Sequence, residues 1–223
     1  MIKLSRVSFG YSKKQPLFQD LDLELYDGNV YGLLGANGAG KSSLLQLISG
    51  LLFPTSGQIQ VNHFEPKDRK PAFLQDIFLI PEEFYMPPIR LKDYVNMYQC
   101  FYPKFSQELF HKILQEFDLE DIIRLDKISF GQRKKAIIAF ALATQTQLLI
   151  MDEPTNGLDI RSKSQFRKVI AASATEDKIM IISTHQVRDL ESIIDPILVL
   201  NEGKITLHRQ ENKLIKLDLE QLY

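Results

Sequence analysis

A glycine-rich loop followed by a lysine and a serine is the part of the sequence best suited to chemistry. Four residues separate Gly35 from Gly40, and Lys41 and Ser42 follow directly. Glycines let a backbone close around a phosphate where a Cβ would obstruct it, and a helix that starts at such a loop directs its N–H groups at the anion. Lys41 would reach the β- and γ-phosphates, and the Ser42 hydroxyl would bind Mg²⁺. The alternative is an ordinary tight turn between a strand and a helix.

Two adjacent carboxylates end an apolar run further along the chain. Asp152 and Glu153 follow Leu148–Met151, which reads as a buried strand. Because neighbouring residues of a strand point to opposite faces, we expect the two carboxylates to have different tasks. Asp152 is placed to hold Mg²⁺, through water, and Glu153 could polarise an attacking water as a general base. A solvated strand end is the plain alternative for this pair.

Strands must hold these two segments in place. Alternation of apolar and polar residues in Ile2–Phe9 and Leu21–Leu25 predicts peripheral antiparallel strands. The short apolar run from Val30 to Leu34 predicts a central strand buried on both faces, and the apolar spacing within Lys41–Ser49 predicts a helix packed on the sheet.

The same order of strand and helix returns twice, which indicates a parallel sheet with crossover helices. Leu148–Met151 precedes a predicted helix at Arg161–Ala172, and Ile179–Ile182 precedes one at Val187–Ile194. Phe73–Ile80 is expected to form a further strand.

A segment of helical periodicity interrupts this core. Leu91–Phe101, Glu108–Phe117 and Gly131–Ala143 each predict a helix, and together they indicate a helical subdomain at about residues 84–143. The segment Gly203–Tyr223 reads as a strand and a short amphipathic piece. We therefore expect one domain over residues 1–223.

Composition narrows the functional classes. The 223 residues are 25% charged and 44% hydrophobic, with a net charge of -1 and one cysteine, Cys100. These values indicate a globular chain from a reducing compartment and argue against a nucleic-acid partner. The longest apolar run, Ala136–Ala143, is far shorter than the roughly 20 residues that span a bilayer. With no apolar signal segment at its start, the chain is expected to be cytoplasmic.

Three further motifs carry a resemblance to a known family. Ile128-Ser129-Phe130-Gly131-Gln132 is similar to the signature of the nucleotide-binding subunits of ABC transporters, Pro154–Asp159 resembles the loop that couples two such subunits, and His185 follows Ser183-Thr184 as the family's switch histidine does. The resemblance covers nearly the whole chain. It implies an α/β fold of the ABC ATPase type: a P-loop NTPase core with a mostly parallel sheet, a peripheral antiparallel β-sheet and an inserted α-helical subdomain.

The resemblance also implies a set of site residues and the cofactors ATP and Mg²⁺. The implied catalytic residues are Glu153, His185 and Lys41, and the implied metal ligands are Ser42, Asp152 and Glu82. The implied nucleotide-binding residues are Tyr11, Gly35, Ala36, Asn37, Gly38, Ala39, Gly40, Lys41, Ser42, Ser43, Ser129, Gly131, Gln132 and Asp159. In the family, the counterpart of Tyr11 stacks on adenine, and that of His185 bonds the γ-phosphate and the attacking water. Tyr11 as a plain surface residue, His185 as a strand-end histidine and Asp159 as a simple helix cap are the alternatives.

The signature predicts a second anion site on the same chain. Ser129 is expected to cap the helix that runs from Gly131 towards Ala143. In the family, the glycine-rich loop of one subunit and the signature of its partner enclose one ATP, so ATP joins the subunits and hydrolysis separates them. The implied partners are a second ATPase subunit, identical or different, and a separate integral membrane permease. The implied location is the inner face of the cell membrane.

Two positions depart from the family pattern. Glu82 stands where a glutamine is expected, and Phe130 replaces a glycine, which predicts a negative φ and a ring turned away from the phosphate. Nearby, Phe84-Tyr85-Met86 is either an exposed docking cluster for a membrane partner or part of a core. Arg133-Lys134-Lys135 is expected to be a solvated face.

Two other functions remain open at this point. One is a soluble ABC ATPase that acts on ribosomes or DNA, although this chain has neither two ATPase units nor a long coiled coil. The other is a module that binds ATP with little turnover, which Glu82 and Phe130 make conceivable.

Overall fold

The computed structural model describes residues 1–12, 15–186 and 190–208. The strands, in chain order, are β1 (Ile2–Phe9), β2 (Phe18–Leu25), β3 (Asn29–Leu34), β4 (Ser56–Val61), β5 (Ile77–Ile80), β6 (Leu148–Met151), β7 (Ile179–Thr184), β8 (Ile197–Asn201) and β9 (Lys204–His208). The helices are α1 (Lys41–Ile48), α2 (Pro71–Gln75), α3 (Leu91–Tyr98), α4 (Gln107–Glu116), α5 (Phe130–Ala143) and α6 (Ile160–Ser173), with short 3₁₀ turns at Pro66–Asp68 and Gln99–Phe101.

A small antiparallel sheet is formed by β2, β1 and β4, in that order. Its buried face comes from the predicted alternation: Ile2, Leu4, Val7 and Phe9 of β1 are all buried. The prediction of peripheral antiparallel strands is confirmed.

A larger, mostly parallel sheet has the strand order β5-β6-β7-β3-β8-β9. The pairs from β5 to β8 are parallel, and only β9 runs antiparallel, against β8. β6 and β7 are buried along their whole length, as strands covered on both faces must be. The predicted α/β core, with a mostly parallel sheet beside a peripheral antiparallel sheet, is confirmed.

The carboxyl ends of four neighbouring strands meet at one edge of this sheet. Leu34 of β3 pairs with Thr184 of β7, while Met151 of β6 lies between Ile80 of β5 and Ile182 of β7. The chain segments that follow these strands are therefore neighbours in space, which is where parallel α/β sheets bind ligands.

The helices α3, α4 and α5 lie between β5 and β6 in the chain, and an aromatic cluster joins them to the sheet. Phe140 of α5 is buried and contacts the rings of Tyr94 of α3, Phe105 and, on β5, Phe78. In the described part of the chain, no helix is long and apolar enough to span a membrane.

The prediction of one strand over Phe73–Ile80 is wrong in its first half. Pro71 begins α2 and stands at a position where its fixed φ suits a helix. Phe73 is buried within this helix against Phe64, so its apolar character reflects the packing of a short helix. The strand is limited to Ile77–Ile80.

Two other predictions fall partly outside the described residues. The predicted helix Val187–Ile194 starts at residues that are not described, and residues 190–193 form turns. The strand expected near the end of the chain is β9, and the amphipathic piece after residue 208 lies outside the described residues.

We predict that Phe140→Ala lowers the free energy of unfolding by about 3–5 kcal/mol, because it leaves a cavity where the helices meet β5. Urea unfolding followed by circular dichroism measures this change. Tyr85→Ala, at a side chain that is 82% exposed, serves as the control and should stay within about 0.5 kcal/mol. Equal effects of the two substitutions would contradict the role of Phe140.

Candidate active site

The glycine-rich loop connects β3 to α1. Gly40 is the N-cap of α1, with a left-handed φ of 104° and no side-chain cap on the helix. A Cβ on Gly35 would lie 2.7 Å from the carbonyl oxygen of Leu200. Gly40 is thus required by its backbone conformation, and Gly35 is required because there is no space for a Cβ at its position. The helix N-terminus opens directly onto the loop, as an anion site needs.

Lys41 brings a buried ammonium group to this loop. Its Nζ donates to the carbonyl oxygen of Gly35 at 2.8 Å and lies 3.4 Å from that of Ala36. It also lies 3.5 Å from Oε1 of Glu153, with both side chains buried. The loop and the acidic strand end therefore meet through one charge pair.

Ser183 connects the carboxylate of Asp152 to the backbone of Glu153. Its hydroxyl donates to Oδ1 of Asp152 and accepts the backbone N–H of Glu153 at 2.9 Å. The expectation that Asp152 and Glu153 point to opposite faces is wrong, because β6 ends at Met151 and Glu153 turns into a left-handed conformation, with φ of 45°. Both side chains line the same cavity, although with different partners.

Glu153 also contacts the imidazole of His185. Nδ1 of His185 lies 3.0 Å from Oε2 of Glu153, and the amide of Gln186 lies 3.2 Å from Nε2. The two atoms form a hydrogen bond in the tautomer whose proton is on Nδ1, with the carboxylate oxygen as the acceptor. Glu153 is therefore held between an ammonium group on one oxygen and an imidazole on the other.

These groups surround a cavity of about 520 Å³, which is within the range of small-molecule sites. The cavity is lined by Tyr11, Leu17, Asn37, Gly38, Gly40, Lys41, Ser42, Ser43, Glu82, Asp152, Glu153, Asn156 and His185. Tyr11 is 74% exposed, and its hydroxyl lies 3.0 Å from that of Ser43. Glu82 accepts a hydrogen bond from Asn156 at 3.0 Å.

The signature residues lie at the start of α5. The hydroxyl of Ser129 accepts the N–H of Gln132 at 3.2 Å, and the side chain of Gln132 accepts the N–H of Ser129 at 3.0 Å. This reciprocal pair confirms Ser129 as the N-cap. Among the residues with described positions, Ser129, Gly131 and Gln132 do not line the cavity.

Phe130 occupies the first turn of α5 with the predicted negative φ. Its ring stacks with that of Phe84 at 6.2 Å and lies against Gly157, where a Cβ would be 3.0 Å from the ring. The structure divides the stretch 84–86: Met86 is buried in the helical core and Phe84 packs against it, whereas Tyr85 is exposed. The packing alternative therefore holds for Phe84 and Met86, and docking of a partner stays a prediction for Tyr85.

Asp159 is the N-cap of α6. Its Oδ1 accepts the N–H of Ser162 at 2.7 Å, and the bonds from Ser162 hold the pKa of the Asp159 carboxyl below its usual value. Like the signature residues, it does not line the cavity of this copy of the chain, as far as the described residues show.

The expectation of a solvated basic face at 133–135 is wrong. Lys134 is only 1% exposed, and its Nζ donates to the backbone carbonyl of Glu153 at 2.7 Å. Lys135 donates to Gln165 at 2.9 Å. Burial lowers the pKa of Lys134, while the charges of Glu82, Glu153 and Asp152 act in the opposite direction.

Sequence reasoning missed Lys134 and Ser183 as parts of the site. The signal for Lys134 was available: residues 136–143 are uninterruptedly apolar, which predicts that α5 is buried all round and that a lysine just before this run is buried too. Ser183 lies in the quoted Ser-Thr-His motif, but nothing in the sequence indicates that its hydroxyl bridges two residues of another strand end.

A phosphate-binding loop, an acidic strand end and a strand-end histidine around one cavity define a P-loop ATPase. A family model for ABC transporters matches residues 18–156, more than half of the chain. The chain belongs to the ABC transporter family, is one of its ATP-binding proteins and has the ATPase activity of that family.

Two curated relatives and one solved structure illustrate the similarity. The chain is 32% identical to the lantibiotic transport ATP-binding protein SrtF of Streptococcus pyogenes, over 94% of this chain and 91% of SrtF. It is 32% identical to the energy-coupling factor transporter ATP-binding protein EcfA2 of Caldanaerobacter subterraneus subsp. tengcongensis, over 92% of this chain and 78% of EcfA2. The dimeric ATP-binding cassette MJ0796 bound to ADP and Pi has the same fold, with a TM-score of 0.81 and 20% identity over 95% of this chain and all of that one.

We predict that Ser183→Ala lowers the free energy of unfolding by about 1–3 kcal/mol, because it leaves the buried N–H of Glu153 without its acceptor. Chemical unfolding measures this change. Ser173→Ala, at a half-exposed serine at the end of α6, should change it by no more than about 0.5 kcal/mol. A Ser183→Ala variant as stable as that control would show that the bridge contributes little.

Proposed function

We propose that this chain is the ATP-hydrolysing subunit of an ABC transporter, which pairs with a second ATPase subunit around MgATP and drives a separate membrane permease. The observation that carries the proposal is the arrangement of Lys41, Glu153 and His185 around one cavity. The chain would act as one ATPase domain, residues 1–223, with the helical subdomain at about 84–143 inserted. It would work in the cytoplasm, at the inner face of the cell membrane.

In this proposal Glu153 takes a proton from the attacking water. As the water oxygen bonds to the γ-phosphorus, the bond from that phosphorus to its bridging oxygen breaks, and the bridging oxygen leaves with ADP. His185 orients the water and the γ-phosphate, and the Lys41 ammonium balances the growing negative charge. The contacts of Glu153 with both residues support these roles, because all three groups face the same small volume.

The site also fits Mg²⁺. Ser42, Asp152 and Glu82 line the cavity with the oxygen atoms that this ion prefers. Mg²⁺ usually binds through one or two protein carboxylates together with substrate phosphates and several waters, so these side chains would be enough for an ion that arrives with ATP. When bound, Mg²⁺ would neutralise charge on the β- and γ-phosphate oxygens.

Tyr11 and the loop would hold the rest of the nucleotide. The exposed ring of Tyr11 stands at the rim of the cavity, tethered by its hydroxyl to Ser43 and packed edge-on against Phe9. A ring held in this way can offer a face to adenine. Residues 35–40 would surround the phosphates with backbone N–H groups.

A second subunit is supported by the position of the signature. Ser129, Gln132 and Asp159 are exposed and do not line the cavity of their own chain as described, so a nucleotide would reach them from another copy. Ile160, beside Asp159, is 88% exposed. An exposed surface that carries an apolar side chain and two helix caps is suited to a contact between two subunits that share one ATP.

A groove of about 490 Å³ between the helices and the core supports a further protein partner. It is lined by apolar residues that include Leu51, Leu74, Leu79, Tyr98 and Phe101. The exposed apolar atoms favour a protein surface over a nucleic acid, in line with the net charge of -1. The stretch 84–86 would add only Tyr85 to a docking surface.

We predict that Glu153→Gln still binds ATP and forms the dimer but hydrolyses ATP at least about tenfold more slowly, because the amide cannot accept a proton. Phosphate release with Mg²⁺ measures turnover, and light scattering with ATP measures the dimer. Glu176→Gln, at an exposed glutamate in the turn before β7, is the control. Unchanged turnover in Glu153→Gln would remove Glu153 from its role, and a wild-type chain without phosphate release would favour a nucleotide-binding module.

For Lys41→Ala we expect an affinity for ATP at least about tenfold lower, because the variant lacks the ammonium beside the loop. Isothermal titration calorimetry measures the affinity. Lys70→Ala, at an exposed lysine that pairs with Asp68, should bind ATP as the wild type does. Retained affinity in Lys41→Ala would count against the phosphate-loop assignment.

A further inference from the structure

Lys134 is buried beside the candidate base although the phosphate chemistry does not use it. It lies in the second turn of α5 with 1% of its surface exposed. Its Nζ donates to the backbone carbonyl of Glu153 at 2.7 Å and lies 5.2 Å from the centre of the Phe130 ring. An ammonium group is costly to bury, whereas a methionine would fill a similar space without losing hydration.

The backbone of Glu153 needs support from its surroundings. Its φ of 45° belongs to the left-handed region, which non-glycine residues rarely adopt. Three groups contact the backbone of Glu153 in this conformation: Ser183 of β7 accepts its N–H at 2.9 Å, and its carbonyl accepts from Nζ of Lys134 at 2.7 Å and from the N–H of Asn156 at 3.2 Å. Lys134 is the one of the two donors that comes from another element, α5. This conformation directs the carboxylate towards Lys41 and His185.

The charge of Lys134 also suits this place. Asp152, Glu153 and Glu82 are the acidic groups whose charges favour the protonated lysine. Lys134 therefore approaches Glu153 from the side of α5, whereas Lys41 approaches its carboxylate from the glycine-rich loop. Its neighbour Lys135 bonds Gln165 and the carbonyl of Phe117, and it has no contact with Glu153 among the described bonds.

We propose that Lys134 is a positioning residue for Glu153: through the hydrogen bond to the backbone carbonyl, it holds the base in the orientation that activates water. The proposal rests on the proposed role of Glu153 in hydrolysis. Since α5 starts with the signature, the bond also connects the signature helix to the base. Lys134 is not among the described residues that line the cavity, so it would act through Glu153 and not on the nucleotide.

The test compares Lys134→Met, Lys134→Arg and the control Lys135→Met. Lys134→Met should lower kcat at least about tenfold and leave the KM and the Kd for ATP within about twofold, because only the orientation of the base is lost. Lys134→Arg keeps a donor and should recover at least a third of the wild-type kcat. Lys135→Met should keep kcat within about twofold. A kcat of Lys134→Met within twofold of the wild type would overturn the proposal, whether or not the KM for ATP is raised.

A double variant separates positioning from general damage. If Lys134 acts through Glu153, Lys134→Met should slow Glu153→Gln by no more than about twofold further. Two results would overturn the positioning role. One is a double variant whose loss of kcat equals the product of the losses of the two single variants. The other is a Lys134→Arg variant that has the thermal midpoint of the wild type but is as slow as Lys134→Met. If Glu153→Gln alone leaves turnover unchanged, the proposed role of Glu153 fails and that of Lys134 fails with it. A slow Glu153→Gln beside a normal Lys134→Met refutes only the positioning role.

Discussion

The parallel pairing of β5, β6, β7 and β3 is the constraint on which the candidate site depends. Parallel strands place all their carboxyl ends at one edge, so four segments far apart in the sequence become neighbours there. The glycine-rich loop follows β3, the two carboxylates follow β6, His185 follows β7 and Glu82 follows β5. Short-range interactions then only have to adjust the positions of side chains that the sheet has already brought together.

Charge balance makes the adjusted arrangement stable. Glu153 is buried, yet each of its side-chain oxygens faces a nitrogen, on Lys41 or His185, and its backbone N–H and carbonyl both have partners. A buried carboxylate without such partners would be strongly destabilising. The same contacts that satisfy Glu153 also fix where it points, so stability and orientation have a common physical origin in this site.

The sequence contains most of the fold and of the site because their signals are local. The alternation in Ile2–Phe9 and the apolar run before Gly35 indicate two kinds of strand, and the glycines with Lys41 and Ser42 indicate a phosphate loop.

Local sequence patterns did not predict the structure where a contact between distant parts of the chain determines it. Pro71 starts a helix inside an apolar stretch that reads as a strand. The charge run 133–135 reads as a solvated face, although the apolar run 136–143 that follows it already indicates a helix buried all round, as the burial of Lys134 shows. The left-handed turn at Glu153 lies beyond the end of β6 at Met151, where the alternation of a strand no longer applies, so its orientation depends on partners in β7 and α5.

The position of the inserted helices in the sheet limits how they can move. The chain leaves the carboxyl end of the edge strand β5 towards α3 and returns from α5 to the amino end of β6, and these two strands are direct neighbours. The contact of Phe140 and Phe78 fixes α5 against β5. Lys134 of α5 bonds the carbonyl of Glu153, and residues 81–90, which lead from β5 to α3, include Glu82 of the cavity wall. Any rotation of α3, α4 and α5 as a group would therefore be transmitted to the catalytic edge, so the inserted helices and this edge are mechanically coupled.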